Sequence, residues 1–219
     1  MIRRAVCLAF ALSAAAGLAQ AATPDPAVLD GAIKAGRAVA DANGLTLVLT
    51  NGKHLSLANL TAGCPTGDKQ LDDANCKHYL LAADLPAQHV FVVQVLYYEG
   101  AGQLLIDDGS GRQTDIDGMP VFSPDGSRFF INDDDELNDH DNNLEIWRRD
   151  GDGASLEWAH PYQQVYVEAP VLKGLYHARV TDWSQPDTVN LAFSYISLSW
   201  KGQLTHQADG WHLTADWPH

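Results

Sequence analysis

Apolar and polar positions alternate along most of this chain with a period of two, the spacing of a strand that buries one face. Leu45, Leu47 and Leu49 fall on one side of such a strand, with Thr46 and Thr50 on the other, and the alternation resumes at His54-Leu55-Ser56-Leu57. Between them stands Asn51-Gly52, a pair that takes positive φ angles readily and predicts a two-residue type I′ hairpin. Further strand signals run over residues 79–83, 90–98, 103–107, 112–116, 119–123, 128–131, 144–149, 155–158, 165–168, 177–181, 189–197, 204–206 and 211–215. Gly, Pro, Asn and Asp separate them at the short intervals of an all-β fold. One helix is predicted, with Asp25 as N-cap, Pro26 in the first turn, and Val28, Leu29, Ile33 and Val39 on one face before Gly44.

The first 21 residues read differently. Arg3 and Arg4 precede the apolar run Ala5 to Leu18, and Ala19-Gln20-Ala21 forms a small-residue cleavage box, the layout of a secretory signal. That run is shorter than the roughly 20 residues a spanning helix needs, and no later stretch approaches it, so no transmembrane segment is expected after cleavage. The expectation is a periplasmic or secreted protein with residues 22–219 as a single β-rich domain, a length sufficient to enclose a core. Without Arg3 and Arg4, 12 basic residues face 28 acidic ones, a formal charge of −16. Such a field repels nucleic acid, leaving cations, a protein or an envelope component as the expected partners. Two cysteines remain, Cys64 and Cys76, and in an oxidising compartment such a pair predicts a disulfide across a polar loop.

A string of residues in the middle of the chain carries a resemblance. Pro120-Val121-Phe122-Ser123-Pro124-Asp125-Gly126-Ser127-Arg128-Phe129-Phe130-Ile131, completed by Asn143-Leu144-Glu145-Ile146-Trp147-Arg148-Arg149-Asp150-Gly151, resembles one blade of the WD-like repeats of TolB-type periplasmic β-propellers. Ser123, Pro124, Asp125 and Gly126 make the turn: Pro124 presets φ and Gly126 tolerates a positive value. Gln103 to Gly111 is similar to the last strand and turn of a preceding blade, and Trp183 to Phe193 to a degenerate second blade opening. The resemblance implies small or incomplete propeller-like antiparallel sheets, with a β-sandwich as the alternative. It also implies a binding scaffold, and carries no catalytic residue with it.

The chemistry in the chain is concentrated in Asn132 to Asn143, where Asp133, Asp135, Asp139, Asp141 and Asn143 offer the hard oxygens that Ca²⁺ prefers. Asp139-x-Asp141-x-Asn143 has the opening spacing of a calcium loop, but Leu144 follows where that loop has glycine. A solvated acidic hairpin is the competing reading. His140 stands among these carboxylates and the other histidines are scattered singly, so no zinc-hydrolase pattern forms. Gly-x-Ser-x-Gly and a phosphate-cradling Gly-rich loop are absent. Of the six tryptophans, Trp147 and Trp200 are expected in the core and Trp217 to be the freest. The functional expectation is a non-catalytic extracytoplasmic binding module. Its rivals are a secreted hydrolase assisted by metal at Asp133, Asp135, Asp139, His140 and Asp141, and a structural envelope protein that binds Ca²⁺.

Overall fold

The computed structural model describes residues 24–64, 75–97, 100–133, 142–151, 153–161, 164, 168, 172 and 176–218. Asp25 caps α1 (Pro26–Lys34): its carboxylate accepts the Ala27 N–H at 2.9 Å, and Pro26 sits where no N–H is needed. Behind Lys34 the N–H groups of Gly36 and Arg37 bond back to the carbonyls of Ile33 and Ala32, the pattern of a Schellman cap, and the helix ends. Val39 therefore does not continue the helical face. It lies in β1 (Ala38–Asp41), a strand the apolar spacing had assigned to the helix.

Four antiparallel sheets follow one another in chain order. The first holds β1, β2 (Gly44–Val48) and β3 (His54–Ala58). The second holds β4 (His78–Leu85), β5 (Val90–Leu96), β6 (Ala101–Asp107) and β7 (Gln113–Ile116). The third holds β8 (Val121–Phe122), β9 (Arg128–Asn132), β10 (Asn142–Asp150) and β11 (Gly153–Pro161). The fourth holds β12 (His177–Gln185), β13 (Thr188–Tyr195), β14 (Leu198–Gln207) and β15 (Gly210–Ala215). Each is a simple meander, so the all-β expectation of small antiparallel sheets behind one short helix is met.

Three local expectations need correction. The β2–β3 connection is a three-residue loop, because Leu49 and Lys53 pair, Gly52 alone has positive φ (+79°), and Gly52 N–H bonds to Leu49 O. The Asn51 side chain explains the choice: it accepts the Lys53 N–H and donates to Gly109 O in the next sheet, contacts a type I′ turn would not supply. Gln103–Asp107 lies in β6, the third strand of its sheet, with β7 following it. Glu168, at the end of the strand read over 165–168, is instead helical, and Gln164 four residues earlier bonds its carboxylate at 2.9 Å.

The sheets pack face to face along three seams. The first seam joins Leu45, Leu47 and Leu57 to Leu81, Phe91, Val93 and Ile106, with Ala32 of α1 closing one side. The second joins Val90, Val92, Leu105 and Ile116 to Phe129 and Ile131. The third joins Phe130, Leu144 and Ile146 to Val189, Leu191, Phe193, Trp200, Leu204 and Trp211. No hydrophobic core joins the first sheet to the fourth among the described residues. The outward faces are mostly polar: Thr46 and Ser56 meet across strands at 3.1 Å on the first sheet, beside the exposed Val39, and Asn190, Lys201 and Gln203 point outward on the fourth. Among the described residues the four sheets thus stack in chain order with no seam joining the last to the first.

At one end of the stack each seam is crossed by an arginine. Arg37 binds Asp84 in two hydrogen bonds of 3.0 Å and Asp108 at 3.1 Å, with its guanidinium over the Phe91 ring. Arg149 reaches from β10 to Gln88 O at 2.6 Å and Asp107 at 3.5 Å. Arg128 binds Glu157 at 2.6 Å and extends to Asp187 and the Trp211 ring of the fourth sheet. These ties use the planar fork of arginine and hold neighbouring sheets in register. The opposite, far end is built differently.

Candidate functional site

The far end carries the connections β5–β6, β9–β10 and β13–β14. On the second seam, alternation extends the apolar stripe by one more position on each strand, and there it turns polar. Val92 gives way to Gln94, Leu105 to Gln103, Ile131 to Asp133 and Trp147 to Glu145. Gln94 and Gln103 stand directly opposite each other across β5 and β6. Asp133 and Asn143 meet at the mouth of the β9–β10 connection: Asp133 N–H bonds to Asn143 O at 2.9 Å, and Asn143 Nδ2 donates to Asp133 O at 2.7 Å. Asp133, Asn143 and Glu145 are all buried, Asn143 completely (0% exposed). Glu145 accepts the Trp147 indole N–H at 2.7 Å, and Trp147 stacks on Phe129 with ring centres 6.0 Å apart. Asn143 Oδ1 and Gln103 Oε1 are buried and accept no hydrogen bond from the described residues. A buried acceptor left unmade costs about 1–3 kcal/mol, so each such atom calls for an explanation.

Of the residues expected to bind metal, the structure brings together Asp133 and Asn143. Asp135, Asp139, Asp141 and His140 lie outside the described residues. Among the described residues no three His, Cys, Asp or Glu side chains group as metal ligands. Glu145, Gln94 and Gln103 were missed by sequence reasoning, although one signal was present. Gln94 is the single polar residue in the otherwise apolar run Val90–Leu96, and a polar side chain at a core position of a central strand needs a partner.

On the third seam the far end is aromatic. His160 (5% exposed) lies between Trp158 and Trp217, ring centres 6.0 and 6.1 Å away. Trp217 also contacts Tyr176, Phe193 and Trp200, so the tryptophan expected to be freest is a packing element of this seam. The reason is that Asp216 N–H still bonds to Lys201 O at 3.0 Å, so the pairing of β15 runs on past Ala215 and the alternation that turns Trp211, Leu213 and Ala215 inward carries Trp217 to the same face. Glu168 Oε2 faces His160 Nε2 across 3.3 Å without hydrogen-bond alignment. Burial lowers the His160 pKa, opposed by the Glu168 charge, and the imidazole is held below its ordinary value.

The remaining sequence-derived sites are structural. Cys64 and Cys76 are bonded, with Cα atoms 4.7 Å apart. Ser123, Pro124, Asp125 and Gly126 form the β8–β9 turn, where Gly126 has φ +68° and its N–H bonds to Ser123 O. Asp125 accepts from Ser123 Oγ at 2.7 Å, then from the Ser127 N–H, and these bonds hold its carboxyl below the usual range. The tip of the β13–β14 hairpin is unusual. Ile196 has φ +53° and is 90% exposed, beside the exposed Leu198. No helix among the described residues is long and apolar enough to cross a membrane. Comparison with protein-family profiles, curated proteins and solved structures finds no match for this chain.

Proposed function

We propose that this chain is an exported, non-catalytic interaction scaffold that presents its far-end hairpins to a protein or envelope component. The observation that carries the reading is Ile196. A β-branched side chain at positive φ is sterically disfavoured, and at a two-residue hairpin tip Gly or Asn would sit there without strain. Keeping an exposed isoleucine in that conformation forgoes both backbone comfort and apolar burial, the combination seen where a tip is used. The disulfide and the leader-like first 21 residues support an oxidising location, and the WD-like string supports a scaffold role.

The test is photo-crosslinking. A photoreactive residue in place of Ser197 of the mature chain, in envelope extracts, is expected to give a discrete adduct that excess unlabelled protein competes away. Ile196→Ser is expected to abolish that adduct. No adduct, or turnover of ester, peptide or glycoside substrates by the purified chain, overturns the reading.

A further inference from the structure

We propose that the far end of the second seam is a binding site for a hard divalent cation of the calcium class. Its ligands are side-chain oxygens of Asp133 and Glu145 with amide oxygens of Asn143, Gln103 and Gln94. The five residues come from four strands or their immediate ends, two in each facing sheet, and the same alternation that builds the apolar seam turns them inward. This convergence does not depend on the acidic run 134–141.

The donor chemistry selects the ion. The cluster offers only oxygens, and Ca²⁺ fills a shell of six to eight with carboxylates and Asn or Gln carbonyls, while Mg²⁺ keeps several waters and asks for a stricter octahedron. Zn²⁺ prefers His and Cys, and neither appears in the set. Asn143 carries the argument furthest. Its Nδ2 is fixed by the 2.7 Å bond to Asp133 O, which sets the amide so that Oδ1 is the atom left facing inward, buried and without a donor among the described residues. Gln103 Oε1 repeats the situation on the facing sheet. Two acceptors left unmade beside two buried carboxylates describe a place shaped for positive charge.

Trp147 supplies a reporter. Its indole N–H rests on Glu145, so a lanthanide occupying the cluster lies within reach of energy transfer from that ring. The experiment uses the mature chain stripped with chelator, titrated with Ca²⁺ by calorimetry and with Tb³⁺ by tryptophan-excited luminescence. One saturable site is expected, with a raised Tm and with Tb³⁺ emission displaced by Ca²⁺. Asp133→Asn is expected to weaken Ca²⁺ by at least the roughly tenfold that loss of an outer-shell partner alone produces. Trp147→Phe is expected to lose most of the emission while a saturable Ca²⁺ site remains, weakened roughly tenfold because the indole hydrogen bond to Glu145 is gone. If Asp133→Asn does not fold, Gln103→Met decides, and a weaker Ca²⁺ site is the expected result. No heat and no Tm shift at millimolar Ca²⁺ overturns the proposal. So does an affinity unchanged in Asp133→Asn and Gln103→Met but lost in Asp139→Asn, which places the ion in the acidic run.

Discussion

Two residues hold conformations or surroundings that their chemistry disfavours, and each yields a measurable expectation. Ile196 at φ +53° occupies the first central position of the β13–β14 turn, where glycine costs nothing. Ile196→Gly is expected to stabilise the fold by about 1 kcal/mol, read as a higher urea midpoint, even as it removes the proposed contact. His160 is held neutral by burial against the pull of Glu168. Because its folded-state pKa is depressed, the unfolded chain binds the proton first as pH falls below about 6.5. The stability tied to neutral His160 is therefore present above that value and is lost below it. The urea midpoint of the native chain is expected to fall from about pH 7.5 to about pH 5.5, and His160→Phe to flatten that fall. Neither residue stood out in the sequence. A lone histidine in a strand and an isoleucine near a turn are ordinary, and only the backbone angle and the facing glutamate set them apart.

Among the elements, hairpins were the most legible, because turn chemistry is local. Pro124, Asp125 and Gly126 place the β8–β9 reversal without reference to the rest of the chain, and Asp25-Pro26 starts α1 in the same way. β1 was hidden, since four residues spelling Ala-Val-Ala-Asp fit a helical face as well as a strand and only the Schellman bonds after Lys34 decide. Two of the five members of the candidate cation cluster, Asp133 and Asn143, were visible in the acidic run. The glutamines and Glu145 were not, because membership depends on which faces meet across a seam. The arginine ties belong to the same class of long-range fact, and Arg128 gives the clearest test. Burial works to raise the Glu157 carboxyl, but hydrogen bonds from Arg128 and Trp211 outweigh it and hold it below the usual range. Arg128→Met removes the guanidinium from a partly exposed pair and is expected to cost about 2 kcal/mol in chemical denaturation, less than a fully buried pair would. The double variant with Glu157→Gln is expected to recover much of that loss.

At the scale of the molecule, stability among the described residues is shared among three seams, each between sheets adjacent in the chain. Ending the chain at Tyr176 removes the fourth sheet and bares Phe130, Leu144 and Ile146 of the third. Such a chain is expected to bind a hydrophobic dye and precipitate on purification, whereas the polar outer face of the fourth sheet keeps the longer chain from doing so. The Cys64–Cys76 bond spans a sequence separation of 12 and neither cysteine belongs to a seam core, so its reduction is expected to lower stability by no more than about 3 kcal/mol without unfolding the stack.

That no fourth seam joins the last sheet to the first among the described residues has a consequence for how the polypeptide acquires its shape. In a closed ring the last module waits for the first, and the ends must find each other over the full contour before the structure locks. Here every interface needs only its immediate predecessor, so order can spread from the amino-terminal side as synthesis or export delivers each new meander, with long-distance searching kept to a minimum.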